Sequence, residues 1–279
     1  MAIINGYLTL AEYKRVADID DSTDSDATDD LVIEDLIEEA SRLIDDETCR
    51  TFYPRVETRY HDVPSDGREL WLNDDLLEII DTTNGDDSSI DDSSYLLVPR
   101  TDTPHYAIKI IQSSSETFET DSAGNSEDVI EIEGIWGYHT NYTQRAWITG
   151  STVSDDSDVG ATDTTIAVTS GTLFDAGQLI RIDDEIIRVT AVSTNDLTVV
   201  RGENGSTAAA HDDASVVYIW SPHRPVKAAC RSIVMNEYKR RFGENTSASA
   251  TVTGAGVVLT PDSIPTSAAR IIRNLKRVI

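Results

Sequence analysis

The sequence has few of the residues from which enzyme and metal sites are usually built. Its two cysteines, Cys49 and Cys230, lie far apart, so they indicate neither a disulfide framework nor a cysteine metal site. Its five histidines lack the spacing of metal ligands, and the G-x-x-x-x-G-K-[ST], H-E-x-x-H and C-x-x-C motifs are missing. These absences predict a protein that is not an enzyme and needs no metal or cofactor. We expect both cysteines to be small core residues and His211 to order a turn.

Signals for secretion and membrane insertion are missing too. The opening residues lack the basic and apolar regions of a signal peptide, and no apolar run approaches the length of a membrane span. We therefore expect a protein without a membrane partner. The expected location is a cytoplasm-like compartment or a particle assembled in one.

Lysine is scarce, with 5 Lys beside 18 Arg, whereas acids are abundant, with 33 Asp and 17 Glu. The net charge of −27 repels DNA phosphates and destabilises the compact state unless salt screens it. One interpretation is a halophilic host, in which a hydrated carboxylate surface stays soluble. A second, compatible one is a surface that DNA passes without sticking, because cations give nonspecific affinity for phosphate. An ordinary acidic protein is the third, and it leaves the lysine scarcity unexplained.

Two aspartate clusters, at 18–30 and 84–94, invite a calcium interpretation. Both lack the glycine and the distal glutamate of an EF-hand loop, so flexible acidic loops are the expectation. Among fifty acids, a pair of carboxylates also carries no information about glycosidase chemistry.

Helical signals lie towards both ends of the chain. Thr9 and Glu12 have capping-box spacing and predict a short helix. A second helix is predicted over 31–49, with Pro54 stopping any continuation. Its apolar stripe is Ile33, Leu36, Ile37, Ala40, Leu43 and Ile44.

Two more helices are predicted after residue 220. The third is capped by Ser221, has Pro222 in its first turn and ends at Gly243. Its apolar stripe is Val226, Ala229, Cys230, Ile233, Val234 and Tyr238. An extended arm over 244–265 then leads to a final helix from about Thr266. The apolar face predicted for that helix is Ala269, Ile272, Leu275 and Ile279.

Between these helices the period changes to that of β-strands. Five strands are predicted between Arg55 and Thr149, and five more follow the polar linker 150–160, up to Trp220. Strands this short and this closely spaced are typical of a small barrel or sandwich. We expect hairpin turns at Asp183-Asp184 and Asn195-Asp196. The four tryptophans lie within strand-like runs and are expected in the core: Trp71, Trp136, Trp147 and Trp220.

This order predicts an α+β protein in which antiparallel β-sandwich or barrel-like domains are inserted into a helical core. The predicted segments are an N-terminal helical part (1–54), a first β domain (55–150), a second small β module (151–220), a core helix (221–243) and a C-terminal arm and helix (244–279). The last two segments differ in charge from the rest. From Ser221 onward there are ten Arg or Lys against three acids.

The order of these elements resembles the head-tail connector (adaptor) proteins of tailed viruses. The resemblance covers the helices in "YLTLAEYKRVADI", "LIEEASRLIDDETCRTFYP" and "RPVKAACRSIVMNEYKRRF", and the basic C-terminal segment. "WLNDDLLEIIDTTNG", "YLLVP" and "EIEGIWGY" look like longer connector relatives. "GQLIRIDDEIIRVTAVSTNDLTVVRGENGSTAAAH" looks like a small β module of virion structural proteins. The shortest family members lack the β insertion present here.

The resemblance implies a helical connector core and a ring, commonly of twelve copies, beneath the portal at the capsid vertex. The implied partners are the portal protein, the next neck or tail protein, and genomic DNA that passes through the channel without specific binding. The implied location is the virion neck, assembled in the host cytoplasm. In the family the C-terminal segment grips the portal. The matching positions here are Arg270, Ile271, Ile272, Arg273, Leu275, Lys276, Arg277 and Ile279.

One alternative has the same helix packing on its own subunit. Another function from a different class is a β-rich virion protein of the tail or capsid surface that binds a host-surface glycan or receptor. That function predicts exposed aromatic platforms in the β domains. An enzyme is the third and weakest alternative.

Overall fold

A computed structural model describes residues 3–17, 27–154, 158–242, 251–252, 258–259 and 264–277. Helices and antiparallel sheets are both present, so the predicted α+β class is confirmed. The chain forms two compact units. Unit 1 comprises Met1–Cys49, Ile148–Glu203 and Thr207–Ile279, and unit 2 comprises Arg50–Trp147 and Asn204–Ser206.

The first two helices of unit 1 are α1 (Leu10–Ala17) and α2 (Ala27–Thr48). The predicted capping box is present at α1, since the Glu12 N–H donates to Thr9 Oγ1 at 3.1 Å and the Thr9 N–H donates to Glu12 Oε2 at 3.3 Å. Helix α2 ends well before Pro54, because Cys49 takes a left-handed conformation at φ 54°. Cys49 is exposed at this helix end, so the prediction of a core cysteine is wrong there.

The third helix, α3 (Arg224–Phe242), packs on α2. It begins later than predicted: the Lys227 N–H donates to the carbonyl of His223 at 3.1 Å, which places His223, and not Ser221, in the N-cap position. Cys230 is buried at the α2–α3 contact, with its Sγ 3.7 Å from Ser41 Oγ, as expected of a core cysteine. Burial raises the pKa of this thiol to about 12, so it is not a nucleophile at neutral pH. The predicted stop, Gly243, lies outside the described residues.

Unit 2 is built on a five-stranded antiparallel sheet with strand order β1-β5-β2-β4-β3. Its strands are β1 (Arg55–His61), β2 (Glu69–Thr83), β3 (Tyr95–Val98), β4 (His105–Ile110) and β5 (Ile130–Trp136). The long strand β2 is irregular, and its register against β5 shifts at Leu76/Glu78 and Ile79/Asp81. One face of the sheet covers a core that contains Leu70, Leu72, Leu76, Ile108, Ile130, Ile132 and Trp136.

Short aspartate side chains order the loops of unit 2. Asp86 accepts hydrogen bonds from Ser88, Asp91 from Ser93, and Asp121 from Ala123 and Asn125. In each of these local turns the aspartate carboxylate accepts a hydrogen bond from a backbone N–H two or four residues later in the chain. The serine hydroxyls of Ser88 and Ser93 also donate to Asp86 and Asp91, and these bonds, followed by the backbone ones, lower the pKa of both carboxyls. Hydrogen bonds from Asn125, backbone first, lower the pKa of Asp121. The acidic loop 84–94 is therefore built from ordered turns, whereas residues 18–26 of the other cluster lie outside the described part of the chain.

The β module of unit 1 is a six-stranded antiparallel barrel, with strand order β6-β11-β8-β9-β10-β7. Its strands are β6 (Trp147–Thr152), β7 (Thr165–Ala167), β8 (Leu179–Ile182), β9 (Glu185–Ser193), β10 (Asp196–Val200) and β11 (Val216–Trp220). A bridge between Val153 and Val168 joins the two outer strands and closes the barrel. The Ser154 N–H donates to Ala167 O and the Thr169 N–H to Thr152 O, both at 2.9 Å.

Two details of the barrel correct the sequence predictions. The predicted linker 150–160 begins inside β6, and its Val153 and Val159 are buried in the barrel core. The Asp183-Asp184 turn is where it was predicted, but the next hairpin turn is Thr194-Asn195 and not Asn195-Asp196, because β9 extends to Ser193. Thr194 supplies the left-handed residue of that turn, at φ 56°.

Candidate functional site

The C-terminal segment contains a two-stranded sheet and the last helix, α4. The sheet pairs β12 (Thr251–Val252) with β13 (Val258–Leu259), and α4 spans Thr266–Leu275. Helix α4 packs on α2 and α3 through the buried side chains of Ala268 and Ile272. Ala269, predicted on the apolar face, is exposed. The buried face follows the i, i+4 pair Ala268–Ile272, so Ile272 was predicted correctly and Ala268 takes the place predicted for Ala269.

Contacts at both ends of α4 fix it to its own subunit. Ser267 Oγ lies 3.1 Å from Ser232 Oγ of α3, and the Arg277 N–H donates to the carbonyl of Thr48 at 2.9 Å. The apolar side of this amphipathic helix is thus used for internal packing. A docking surface on α4 has to consist of the residues that this packing leaves in solvent.

Three cations remain on the solvent side of α4. Arg270 and Arg273 on α4, and Lys276 directly after its last residue, are exposed and follow one another at intervals of three residues, so they form one stripe. Within the described residues, none of the three side chains forms an ion pair. The other predicted docking residues are Ile272, which is buried, Ile271, Leu275 and Arg277, which are partly buried, and Ile279, which lies outside the described residues.

The basic end of α3 differs from this stripe. Arg240 pairs with Glu237 at 3.0 Å, and Arg241 lies 3.7 Å from Glu39 of α2. Both cations also stand in the last helical turn, where the helix dipole favours positive charge. Arg240 and Arg241 are thus paired with acids of the same subunit. The cations of the α4 stripe have no such ion pair among the described residues and are exposed to solvent.

A buried ionic cluster lies within unit 1, in the β module. The guanidinium of Arg201 binds both carboxylate oxygens of Glu185, at 2.8 and 2.7 Å. The Gly202 and Ala209 N–H groups donate to the same carboxylate at 2.9 and 3.0 Å. Burial favours a raised pKa at Glu185, but the hydrogen bonds from Arg201, the two backbone N–H groups and His211 outweigh it and lower that pKa.

His211 joins this cluster to a turn of the barrel. Its Nε2 lies 2.9 Å from Glu185 Oε2 and its Nδ1 lies 2.8 Å from Asp183 Oδ2, in the β8–β9 turn. The expectation that His211 orders a turn is confirmed. Arg201 also donates to the carbonyls of Gly160 and Asp163 at 2.9 and 3.1 Å. The cluster connects loops to strands by hydrogen bonds and ion pairs. Because its carboxylate and guanidinium bind each other, the arrangement is that of a structural ion pair.

Exposed aromatic rings are the feature that the sequence prediction missed. Trp136 and Trp220 are buried and Trp147 is partly buried, but Trp71 is 64% exposed. The expectation of a core residue is therefore wrong at Trp71. A signal was available, since Leu70 and Leu72 flank Trp71 in a strand and alternation places the two leucines on the opposite face.

Comparison with known protein families, with curated proteins and with solved structures finds no match to this chain. Over the part of the chain that the structure describes, no group of three His, Cys, Asp or Glu side chains is arranged to hold a metal ion. None of the described helices combines the length and apolar character needed to span a membrane.

Proposed function

We propose that the protein is a head-to-tail adaptor of a tailed virus, which forms a ring beneath the portal, joins capsid to tail and continues the DNA channel. The observation that carries the proposal is the solvent-facing cationic stripe Arg270, Arg273 and Lys276 on an otherwise acidic chain. The resemblance of the chain to connector proteins supports it further. In this proposal α1 to α4 are the helical connector core, and the two β-rich parts are insertions.

The cationic stripe suits a partner with an acidic surface. Opposite charges steer association and favour the correct partner, while the apolar side of α4 holds the helix to its own subunit. One helix with three cations is a weak contact. In a ring of twelve copies, the number common among the adaptors that this chain resembles, these weak contacts add up to strong multivalent attachment. The same negative net charge lets DNA pass without nonspecific binding.

The direct test is cryo-electron microscopy of the virion neck without imposed symmetry. We expect a ring of this chain below the portal, with α4 of each copy in contact with portal density. Density for the chain at the tail tip or on the capsid surface would reject the adaptor function and make the β domains the functional part.

Reversing the α4 stripe tests the docking surface itself. We expect Arg270→Glu, Arg273→Glu and Lys276→Glu together to weaken binding of the assembled ring to portal rings by about 100-fold or more, because avidity multiplies each lost contact. All three side chains are exposed, so folding should be retained. Binding is measured by co-sedimentation of the purified rings.

A triple variant with the same change of net charge is the matched control. Arg15, Arg100 and Arg145 are exposed cations outside α4, and their replacement by Glu should leave portal binding near that of the wild type. If both triple variants lose binding equally, general repulsion accounts for the loss and α4 is not the docking surface.

We further propose that the protein works at high salt, on the basis of its aspartate excess and lysine scarcity. Raising KCl from about 0.2 M to about 3 M should raise the midpoint of thermal unfolding, because screening weakens repulsion among the carboxylates. Calorimetry across a salt series measures this. A midpoint that stays constant or falls towards molar salt contradicts the halophilic interpretation.

The alternative function, a β-rich virion protein that binds a host-surface glycan, is favoured by one observation. The exposed aromatic platform that this function predicts is present in unit 2, around Trp71. The two functions use different parts of the chain and are compatible, since an adaptor ring is itself part of the virion.

A further inference from the structure

Unit 2 presents a stacked aromatic pair on the solvent face of its sheet. The rings of Trp71 on β2 and Tyr106 on β4 are nearly parallel, at 16°, with centroids 5.5 Å apart. Trp71 is 64% exposed and Tyr106 is 46% exposed. Burial of a large aromatic ring contributes a large favourable free energy to folding or binding. A tryptophan exposed to water makes no such contribution to folding, so it can make one when a ligand covers it. Tyr106 stacks against Trp71, and most of the indole is left in solvent.

A groove of about 420 Å³ adjoins this pair. A second exposed aromatic ring, Tyr60 of β1, which is 51% exposed, lines it together with Trp71. The volume lies within the range of small-ligand sites. The groove is therefore bounded by two exposed aromatic rings, one of which, Trp71, is stacked on Tyr106.

The polar lining of the groove supplies hydrogen-bond acceptors and a donor. Asp62 and Asp128 contribute carboxylates, and the Asp128 N–H donates to Asp62 Oδ1 at 2.9 Å, which fixes the two residues relative to each other. Asn73 accepts from Arg59 through its Oδ1 at 3.3 Å, so its amide nitrogen is the end that can donate. Glu69 of the same lining is paired with Lys109 at 3.1 Å.

We propose that this groove binds a neutral sugar ring of a glycan, with the C–H face of a pyranose stacked on Trp71. The negative π-face of an indole attracts the slightly positive C–H groups on one side of such a ring. The hydroxyl groups at the ring edge both donate and accept, which suits carboxylates beside an amide. The site goes beyond the adaptor function, and it does not depend on ring formation.

Other occupants fit the groove less well. Nucleic acid and acidic glycans are repelled by Asp62 and Asp128, and an acidic face of a second copy is repelled in the same way. A cationic peptide is attracted by the carboxylates and by the aromatic faces, but that attraction is screened by salt. Stacking of a neutral sugar is not screened, so salt dependence separates the two.

The test is isothermal titration calorimetry of the 279-residue chain with maltohexaose, cellohexaose and chitohexaose, at about 0.15 M and about 2 M KCl. We expect saturable binding of at least one of these sugars, with an affinity that stays within about twofold between the two salt concentrations. Trp71→Ala should weaken that binding by about tenfold or more, and Trp71→Phe by less, because a smaller stacking face is kept.

Ile80→Ala is the matched control, since Ile80 is an exposed apolar side chain on the same strand but does not line the groove. It should leave sugar affinity unchanged. The proposal is overturned if none of the three sugars gives saturable heat, or if Trp71→Ala binds as the wild type does. It is also overturned if a peptide of residues 264–279 binds the groove in a salt-sensitive manner while the sugars do not, which would assign the groove to a cationic segment.

Discussion

Replacing Glu185 with glutamine is expected to destabilise the protein by about 3–5 kcal/mol, since it removes one partner of a buried ion pair. The side chain of Glu185 is 0% exposed and that of Arg201 is 7% exposed. Glutamine has nearly the same shape, so little packing is lost, but the guanidinium stays buried without its counter-charge. Urea unfolding at pH 7, followed by circular dichroism, measures the difference.

The pH dependence of this difference tests its cause. Glu185 has a pKa in the folded state below that of the unfolded chain, so its contribution is complete above the unfolded value of about 4.3. The contribution is lost as the pH falls through the lower, folded value. The stability gap between wild type and Glu185→Gln should therefore shrink in acidic solution, as the pH falls from the unfolded value through the lower, folded value.

Asp184→Asn is the control for the loss of a carboxylate at the surface. Asp184 pairs with Arg181 at 3.1 Å, but its side chain is fully exposed, and such pairs contribute little to stability. We expect no measurable change at this position. A Glu185→Gln variant that is as stable as Asp184→Asn would show that the buried ionic cluster has no structural role.

The second large effect is expected at Trp136, the central side chain of unit 2. Trp136→Ala should cost about 3–5 kcal/mol, because it leaves a cavity where a fully buried indole packs in the core. The indole also donates from Nε1 to the carbonyl of Glu57 at 2.9 Å, and the Arg59 guanidinium lies 4.6 Å from its ring. Trp136→Phe keeps part of the volume and should cost less. Urea unfolding of both variants provides the measurement.

Trp71→Ala is the matched comparison, because it deletes the same kind of side chain at an exposed position, whereas Trp136→Ala deletes it in the core. Its effect on stability should be small. Equal losses at Trp71 and Trp136 would mean that Trp71 is a core residue, and they would also remove the basis for the sugar site.

The features that could be predicted from the sequence are those set by residues close together in the chain. The capping box at Thr9 and Glu12, the apolar stripe of α2 and the strands of the barrel all follow from spacing within one element. Errors arose where another element decides the outcome. Helix α4 was predicted correctly as a helix, but packing against α2 and α3 selected Ala268 for burial where the pattern equally allowed Ala269.

Sites assembled from distant parts of the chain were beyond the sequence. Glu185 lies 16 residues from Arg201 and 26 from His211, and the barrel brings the three together. Tyr60 on β1 and Trp71 on β2 line one groove because the sheet brings their strands together. No sequence motif predicts that these two rings lie near each other. The exposure of Trp71 follows from its alternation with Leu70 and Leu72, whereas a place in a strand-like run does not by itself say which face of the sheet a side chain occupies.

Closure of the barrel has a consequence for how copies of the chain avoid sticking together. Over the described residues of the barrel, 147–154 and 158–220, the bridge between Val153 and Val168 leaves no long free edge to which a strand of another chain could add. The open sheet of unit 2 ends instead in β1 and β3. Strand β1 carries the charges of Arg55, Glu57 and Arg59, and β3 is four residues long, features that discourage edge-to-edge pairing. Amyloid-like aggregation in a crowded assembly is thus resisted by closure in one unit and by charge and shortness in the other.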